Sequence, residues 1–225
     1  MEHISGGVCA AKGFQAGGIH CGIRKNRGKR DISMIISEVP ASAAAVYTSN
    51  LVKGAPIYVT QRNLAGGIAQ LAVCNSGNAN TCNADGEEVA WQMCELAGKA
   101  AGIDPHHVIV ASTGVIGQPL SIEPIAQHMS ELYAAVKGNG SQEAAEGIMT
   151  TDTRLKEVAV SFVVDGKVCH LGGIAKGYAA DLCADILKDA DADGLLVLGG
   201  LFAGKYRAIF LATVLLAREE SETDN

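Results

Sequence analysis

Short apolar runs alternate with turn residues over the first 60 positions of the chain. Residues 32–39, 44–48 and 57–60 have the β-branched, apolar character of strands. Residues 71–74 form a short, continuously apolar run, predicted as a buried strand. It leads into Asn75-Ser-Gly-Asn-Ala-Asn80, a polar and turn-prone segment. Asp85 is placed to open a helix, with Glu88 three residues on as the partner of a capping box. Val89, Met93, Leu96 and Ala100 give that helix an apolar stripe, and Gly102 stops it. Residues 108–111 read as the next strand and run directly into Ser112-Thr-Gly114. Pro124 opens a second helix, with Ile125, Met129, Leu132 and Val136 on one face. Ser141 begins a shorter one that ends before Thr150-Thr-Asp-Thr153. Two apolar runs, 157–164 and 167–174, flank Asp165-Gly166 and predict a hairpin. Further on, Ala179, Leu182, Cys183, Ile186 and Leu187 are helix-spaced, and residues 189–194 make an acidic break. Residues 195–198 read as a strand, 208–217 as a helix and 221–225 as a frayed polar end. There is no internal repeat and no steady β-α-β rhythm. The pattern predicts an α+β fold of layered mixed sheets and helices rather than a doubly wound sheet.

Composition narrows the picture. The 225 residues suffice for one large domain or two small ones. With 48% hydrophobic and 19% charged residues, a sizeable core is available and wholesale disorder is excluded. Aromatics are only 4% while glycines number 27, so small residues must build much of the packing. The net charge of −6 offers no basic face for nucleic acid. Seven scattered cysteines contain no C-x-x-C pair, which predicts reduced, mostly buried thiols in a cytoplasmic protein. The N-terminus carries no basic region followed by an apolar run, so no signal peptide is expected. The most apolar stretch, 194–217, is interrupted by Lys205 and Arg207 and falls short of the ~18 apolar residues of a membrane span.

Several segments carry candidate chemistry, each beside a plainer reading. Asn75-Ser-Gly-Asn-Ala-Asn80 is more polar than a turn requires, yet an Asx-rich loop looks the same. In Ser112-Thr-Gly114 a glycine N–H and a neighbouring hydroxyl are what an oxyanion hole needs; a strand-to-loop turn also fits. Thr150-Thr-Asp-Thr153 groups hydroxyls and a carboxylate that could equally cap local backbone. Lys176, in Gly172-Gly-Ile-Ala-Lys-Gly177, can reach a substrate carboxylate or stay solvated. His106 and His107 are adjacent and would point to opposite faces of an extended chain, so they are not expected to share a metal. Residues 25–30 are a basic, glycine-containing loop read as a solvated hairpin tip. Gly199-Gly-Leu-Phe-Ala-Gly-Lys205 nearly matches a phosphate loop, but Tyr206 stands where a small hydroxyl must hold Mg²⁺.

Taken in order, the motifs do what none does alone. Gly6-Gly-Val-Cys-Ala-Ala-Lys-Gly-Phe14, Asp31-Ile-Ser-Met-Ile-Ile-Ser-Glu-Val-Pro40, Val52-Lys-Gly-Ala-Pro56, Asn75-Ser-Gly-Asn-Ala-Asn80, Ser112-Thr-Gly-Val-Ile-Gly117, Ile148-Met-Thr-Thr-Asp-Thr153 and Gly173-Ile-Ala-Lys-Gly177 resemble the N-terminal half of the glutamate N-acetyltransferase (ornithine acetyltransferase) family of arginine biosynthesis. The resemblance implies acetyl transfer from N-acetylornithine to glutamate, with acetyl-CoA as a further co-substrate in some members and no bound cofactor or metal. It implies a precursor that cuts itself before a threonine, which becomes the nucleophile, and an alpha chain that pairs with a beta chain. By position, Thr113 and Gly114 match the oxyanion-hole pair, and Thr150 and Lys176 match substrate-contacting positions.

The match divides the chain into a family-like domain, 1–177, and a divergent tail, 178–225. Where the family continues with a Gly/Pro-containing segment, this chain reads Tyr178-Ala-Ala-Asp-Leu-Cys-Ala-Asp-Ile-Leu187. Counting from Lys176, the nucleophile position falls on Leu187, which has no hydroxyl. So abrupt a change is what a shifted reading frame, a mis-spliced exon or a truncated gene would produce. Ala212-Thr213 faintly echoes the cleavage site but lies 26 positions later. Three readings follow: an acetyltransferase subunit inactive by itself, a non-catalytic remnant or pseudoenzyme subunit, or a nucleotide-binding module built on residues 199–205.

Overall fold

The computed structural model describes residues 2–25, 28–152, 154–155, 157–164, 167–174, 194–198, 201–202, 209–210 and 213–217. Its elements run in the order β1 (Glu2–His3), a 3-10 turn (Gly7–Ala10), β2 (Phe14–Ile19), β3 (Ile32–Val46), α1 (Ala55–Asn63), β4 (Ile68–Asn78), α2 (Gly86–Ala101), β5 (Val108–Val115), α3 (Glu123–Ala134), α4 (Ser141–Ile148), β6 (Glu157–Val164), β7 (Lys167–Ile174), β8 (Gly194–Leu198), β9 (Leu201–Phe202), β10 (Ile209–Phe210) and β11 (Thr213–Ala217). Nine of the described strands form one mixed sheet in the order β1-β6-β7-β8-β11-β3-β4-β5, with β2 also paired to β3. The pairs β4/β5 and β7/β8 are parallel, and the rest are antiparallel. The α+β layering expected from the sequence is present.

Both faces of the sheet are covered, and with different residues. On one face, Leu71, Val73, Met34 and Val110 pack against Val89, Met93 and Ala97 of α2 and against Ile125, Met129 and Leu132 of α3. On the other, Ile35, Ala41, Ala69, Ala72 and Ile109 meet Val8, Ala11, Phe14 and the α4 residues Ala144 and Ala145. Coverage on both sides explains why the centre of β4 reads as a continuous apolar run. The small residues let backbones come very close. A Cβ on Gly147 of α4 would lie 2.8 Å from the Ile32 carbonyl oxygen, and one on Gly18 would lie 2.1 Å from that of Glu143.

The edge of the sheet at β5 is closed by side chains of α1. The Thr60 hydroxyl donates to the Val110 carbonyl (2.8 Å) and accepts from the Val110 N–H (3.0 Å). One turn later, Asn63 Nδ2 donates to the carbonyls of Val108 (2.6 Å) and Pro105 (3.1 Å).

Four local expectations are corrected. Residues 57–60 lie inside α1, because Pro56 in the first turn pre-sets a helical start and the β-branched Val59 and Thr60 face the sheet. Residues 32–39 and 44–48 belong largely to one long strand with a register shift between Ile36 and Ala41, which absorbs Pro40. Within 208–217 the described residues form β10 and β11, not the expected helix; β11 fits between β3 and β8, where strand pairing overrides the helix-like pattern. Thr213 accordingly sits on a strand. The predicted capping box at Asp85 makes no side-chain cap bond; Glu88 instead accepts from Gln92 (2.9 Å). Gly102 does end α2, in the left-handed region at φ +71°.

Six cysteines among the described residues form no disulfide. Burial pushes the thiols of Cys74 and Cys94 up to about 12 and, with help from Asp31, that of Cys21 likewise. Cys82 is the exposed one. No described helix is long and apolar enough to cross a membrane.

Candidate functional site

The candidate residues sit where β4 and β5 end side by side. The parallel ladder sets Asn75 beside Ser112, Ser76 beside Thr113 and Gly77 beside Gly114. Both strands then leave the sheet through backbone that favours glycine, at φ +99° in Gly77 and +135° in Gly114. A Cβ on Gly114 would lie 2.3 Å from the Gly77 carbonyl carbon, so only glycine fits there.

The polar run 75–80 is buried and internally bonded. Ser112 Oγ donates to Asn75 Oδ1 (2.5 Å), and Asn75 Nδ2 donates to the Asn78 carbonyl (3.0 Å). Asn78 Nδ2 donates to the Gln118 and Pro119 carbonyls (3.0 and 3.2 Å), while its Oδ1 accepts from the Asn80 N–H (2.7 Å). Asn80 Nδ2 reaches the Gly86 carbonyl at the start of α2 (2.7 Å). Every one of these groups would be costly to bury alone. The run is therefore scaffold: it holds the strand ends in place and leaves the exposed chemistry to its neighbours.

Those neighbours are Thr113 and Gly114, both half-buried. Among the described residues the Thr113 hydroxyl has no hydrogen-bond partner, which leaves it available to a ligand beside Gly114. Ser76 links them to the next candidate. Its hydroxyl donates to the Gly147 carbonyl (2.7 Å) near the end of α4, three residues before Thr150. Thr150 is half-buried, and its N–H donates to Asp152 (3.3 Å), the local capping bond that the sequence left open. The structure thus brings Thr113, Gly114 and the segment leading to Thr150 to one end of the sheet. Lys176, residues 178–187, Thr153 and Gly199, Gly200 and Lys205 of the near-phosphate loop lie outside the described residues.

Exposed apolar side chains rim this end. Val115 and Ile116 follow Gly114, and Leu51 and Val52 lie on the segment that pairs with Thr81 through Gly54. A groove of about 510 Å³ lies elsewhere, beside Gln70 at the start of β4 and the C-terminal ends of α2 and α3. His106 stacks near Trp91, with ring centroids 5.0 Å apart, and no group of metal-ligating side chains occurs among the described residues.

One residue of this neighbourhood is invisible in the motifs. Arg24 packs over Gly77, so that a Cβ there would come within 2.8 Å of Arg24 Cγ, and its guanidinium donates to the Met149 carbonyl. Its partners lie 53 and 125 positions away in sequence, and no local pattern announces them.

Chemically, the strand ends offer an N–H at a glycine, a hydroxyl and a second hydroxyl nearby. That set can stabilise charge and orient a small molecule. No described histidine, cysteine or lysine is hydrogen-bonded to either hydroxyl.

The chain is similar to known proteins over most of its length. Residues 15–181 match the family model described as "ArgJ family". The arginine biosynthesis bifunctional protein ArgJ of Gloeobacter violaceus is 47% identical over 202 residues, covering 86% of this chain and 49% of that protein. The protein of the same name from Symbiobacterium thermophilum is 39% identical over 222 residues, covering 95% of this chain and 55% of that one. The chain spans about half the length of these curated relatives. Among solved structures, the crystal structure of ArgJ from Bacillus halodurans superimposes with a TM-score of 0.73 at 39% identity, covering 78% of this chain and 93% of that one. Ornithine acetyltransferase from Mycobacterium tuberculosis, crystallised with ornithine, gives a TM-score of 0.70 at 30% identity, covering 79% and 96%.

Proposed function

The chain belongs to the ArgJ family, and on that premise we propose that it forms the charge-stabilising half of an N-acyltransferase that moves an acetyl group from N-acetylornithine to glutamate. The observation that carries this reading is the junction of Thr113 and Gly114. Acetyl transfer passes through a tetrahedral intermediate whose oxygen takes up negative charge. The Gly114 N–H and the Thr113 hydroxyl are the donors for that oxygen, pre-set by the packing of Gly114 on Gly77. Thr150 contacts the substrate, and Lys176 pairs with its carboxylate. Residues 1–177 supply these groups, and residues 178–225 form a tail of different pattern.

The attacking group comes from elsewhere. Position 187, where the resemblance places the nucleophilic threonine, holds leucine. We read the partner as a beta chain that begins with that threonine and seats on the rim of Leu51, Val52, Val115 and Ile116. Acetyl-CoA is a candidate second donor, and no resident cofactor is required by this chemistry.

The test is co-expression with the C-terminal half of the Gloeobacter violaceus relative. By itself the 225-residue chain is expected neither to transfer acetyl from N-acetylornithine to glutamate nor to cut itself. The co-purified pair is expected to transfer, and Thr113→Val is expected to slow it by about 10²–10³. A pair that forms without turnover, or a Thr113→Val pair at full rate, refutes the reading.

A further inference from the structure

Arg24 sits at the crossing of three segments that the sequence keeps apart. The loop carrying it is wound around Asp31, a fully buried carboxylate. Asp31 accepts from the N–H groups of Cys21 (2.7 Å), Gly22 (3.2 Å) and Arg24 (2.8 Å), and His20 Nδ1 lies 3.0 Å from its Oδ2. This anchoring aims the Arg24 side chain across the end of β4. There its aliphatic stem fills the space that the missing Cβ of Gly77 leaves open. At its far end, Nη2 donates to the carbonyl of Met149, the residue before Thr150. Asp31 and Asp152 both favour the Arg24 charge electrostatically. Desolvation lowers its pKa, and the two carboxylates work against that shift.

We propose that Arg24 is a positioning residue that fastens residues 149–152 to the Gly77–Gly114 strand ends and so sets Thr150 relative to Thr113 and Gly114. The inference rests on the functional reading above for what Thr150 contacts, and on geometry alone for the clamp. A bond from a charged donor to a backbone carbonyl is well suited to the task. It holds the main chain rather than a side chain, so Thr150 keeps its own hydroxyl free. Ser76 makes the companion bond to the Gly147 carbonyl. Two carbonyls of the α4 exit are thereby tied to the same strand end, one by Ser76 beside Gly77 in the chain and one by Arg24 packed over it.

The experiment compares the wild type with Arg24→Met, which retains the stem over Gly77 but has no donor, and with Arg24→Lys, which restores one charged donor. Amide hydrogen exchange is followed by mass spectrometry on the full chain, without substrate. Arg24→Met is expected to speed exchange across 147–152 by about tenfold while peptides of β4 and α2 stay as in the wild type. Arg24→Lys is expected to recover most of that protection. No acceleration in Arg24→Met, an equal acceleration in β4 and α2, or no recovery in Arg24→Lys overturns the clamp. In the co-expressed pair, Arg24→Met is expected to raise KM by about tenfold with kcat held within about twofold, since the oxyanion donors are untouched. An unchanged KM in an active pair overturns the link to Thr150. A pair inactive even as wild type counts against the acyltransferase reading, and the exchange pattern then still decides the clamp.

Discussion

The two faces of the sheet are packed by different means. The face under α2 and α3 is filled by long side chains such as Leu71, Met93, Ile125 and Leu132. The face under α4 mixes Phe14, Ile35 and Ile109 with many alanines, and α4 itself is seated by alanines and direct backbone contact at Gly18, Gly140 and Gly147. A core of long side chains tolerates small displacements, because side chains can repack. A seat made of backbone does not, because there is nothing to rotate away. The chain runs from the second face into Thr150, so backbone-on-backbone packing lies directly upstream of the candidate site.

The sharpest way to probe the first face is to empty it. Leu132→Ala removes a fully buried side chain and is expected to cost about 2–5 kcal/mol in urea unfolding. The second face is broken by addition rather than removal. Gly147→Ala sets a methyl against the Ile32 carbonyl oxygen at 2.8 Å and the Ser33 Cβ at 2.9 Å. We expect a loss of about 1–3 kcal/mol. Gly138→Ala, where a Cβ meets nothing within 4 Å, should stay within about 0.5 kcal/mol of the wild type. If both alanines cost the same, the tight backbone seat assigned to α4 is wrong.

The smallest effect concerns charge at the start of α4. Lys137 Nζ donates to Glu143 Oε1 (2.8 Å) and holds that carboxyl below its ordinary value of 4.5. A depressed folded-state pKa stabilises above the unfolded value and is lost as pH falls through the folded one. Lys137 is half-exposed, so solvent screening limits the gain to under about 1 kcal/mol. The difference in melting temperature between the wild type and Lys137→Ala should therefore be small at pH 7 and shrink as pH falls below the ordinary carboxylate range and through the lowered Glu143 value. A difference that persists in acid would show that the lysine acts by packing.

The legibility of the sequence follows the same division. α2 and α3 announce themselves because a side-chain core demands a 3.6-residue stripe, and Val89, Met93, Ile125, Met129 and Leu132 supply it. The β6–β7 hairpin is legible from two apolar runs around Asp165-Gly166. The helical state of 57–60 is not, since Ile57, Val59 and Thr60 favour strands locally and only Pro56 and the sheet above them decide otherwise. At the candidate site, Thr113, Gly114 and Thr150 are legible as ordered motifs. Arg24 is not, because its meaning comes from Gly77 and Met149, which only the fold brings near. The bonds within 75–80 are hidden for the same reason: a sequence shows polar residues, and it does not show which are already satisfied.

Thr60 and Asn63 give the molecule one more property. By occupying the Val108 and Val110 groups at the outer margin of β5, a helix stands in for the strand that would otherwise be invited there. Open sheet margins recruit foreign chains, and growing fibrils begin that way. Two side chains one turn apart thus act as a stopper on intermolecular β-addition at this margin, on the strand that leads to Thr113 and Gly114.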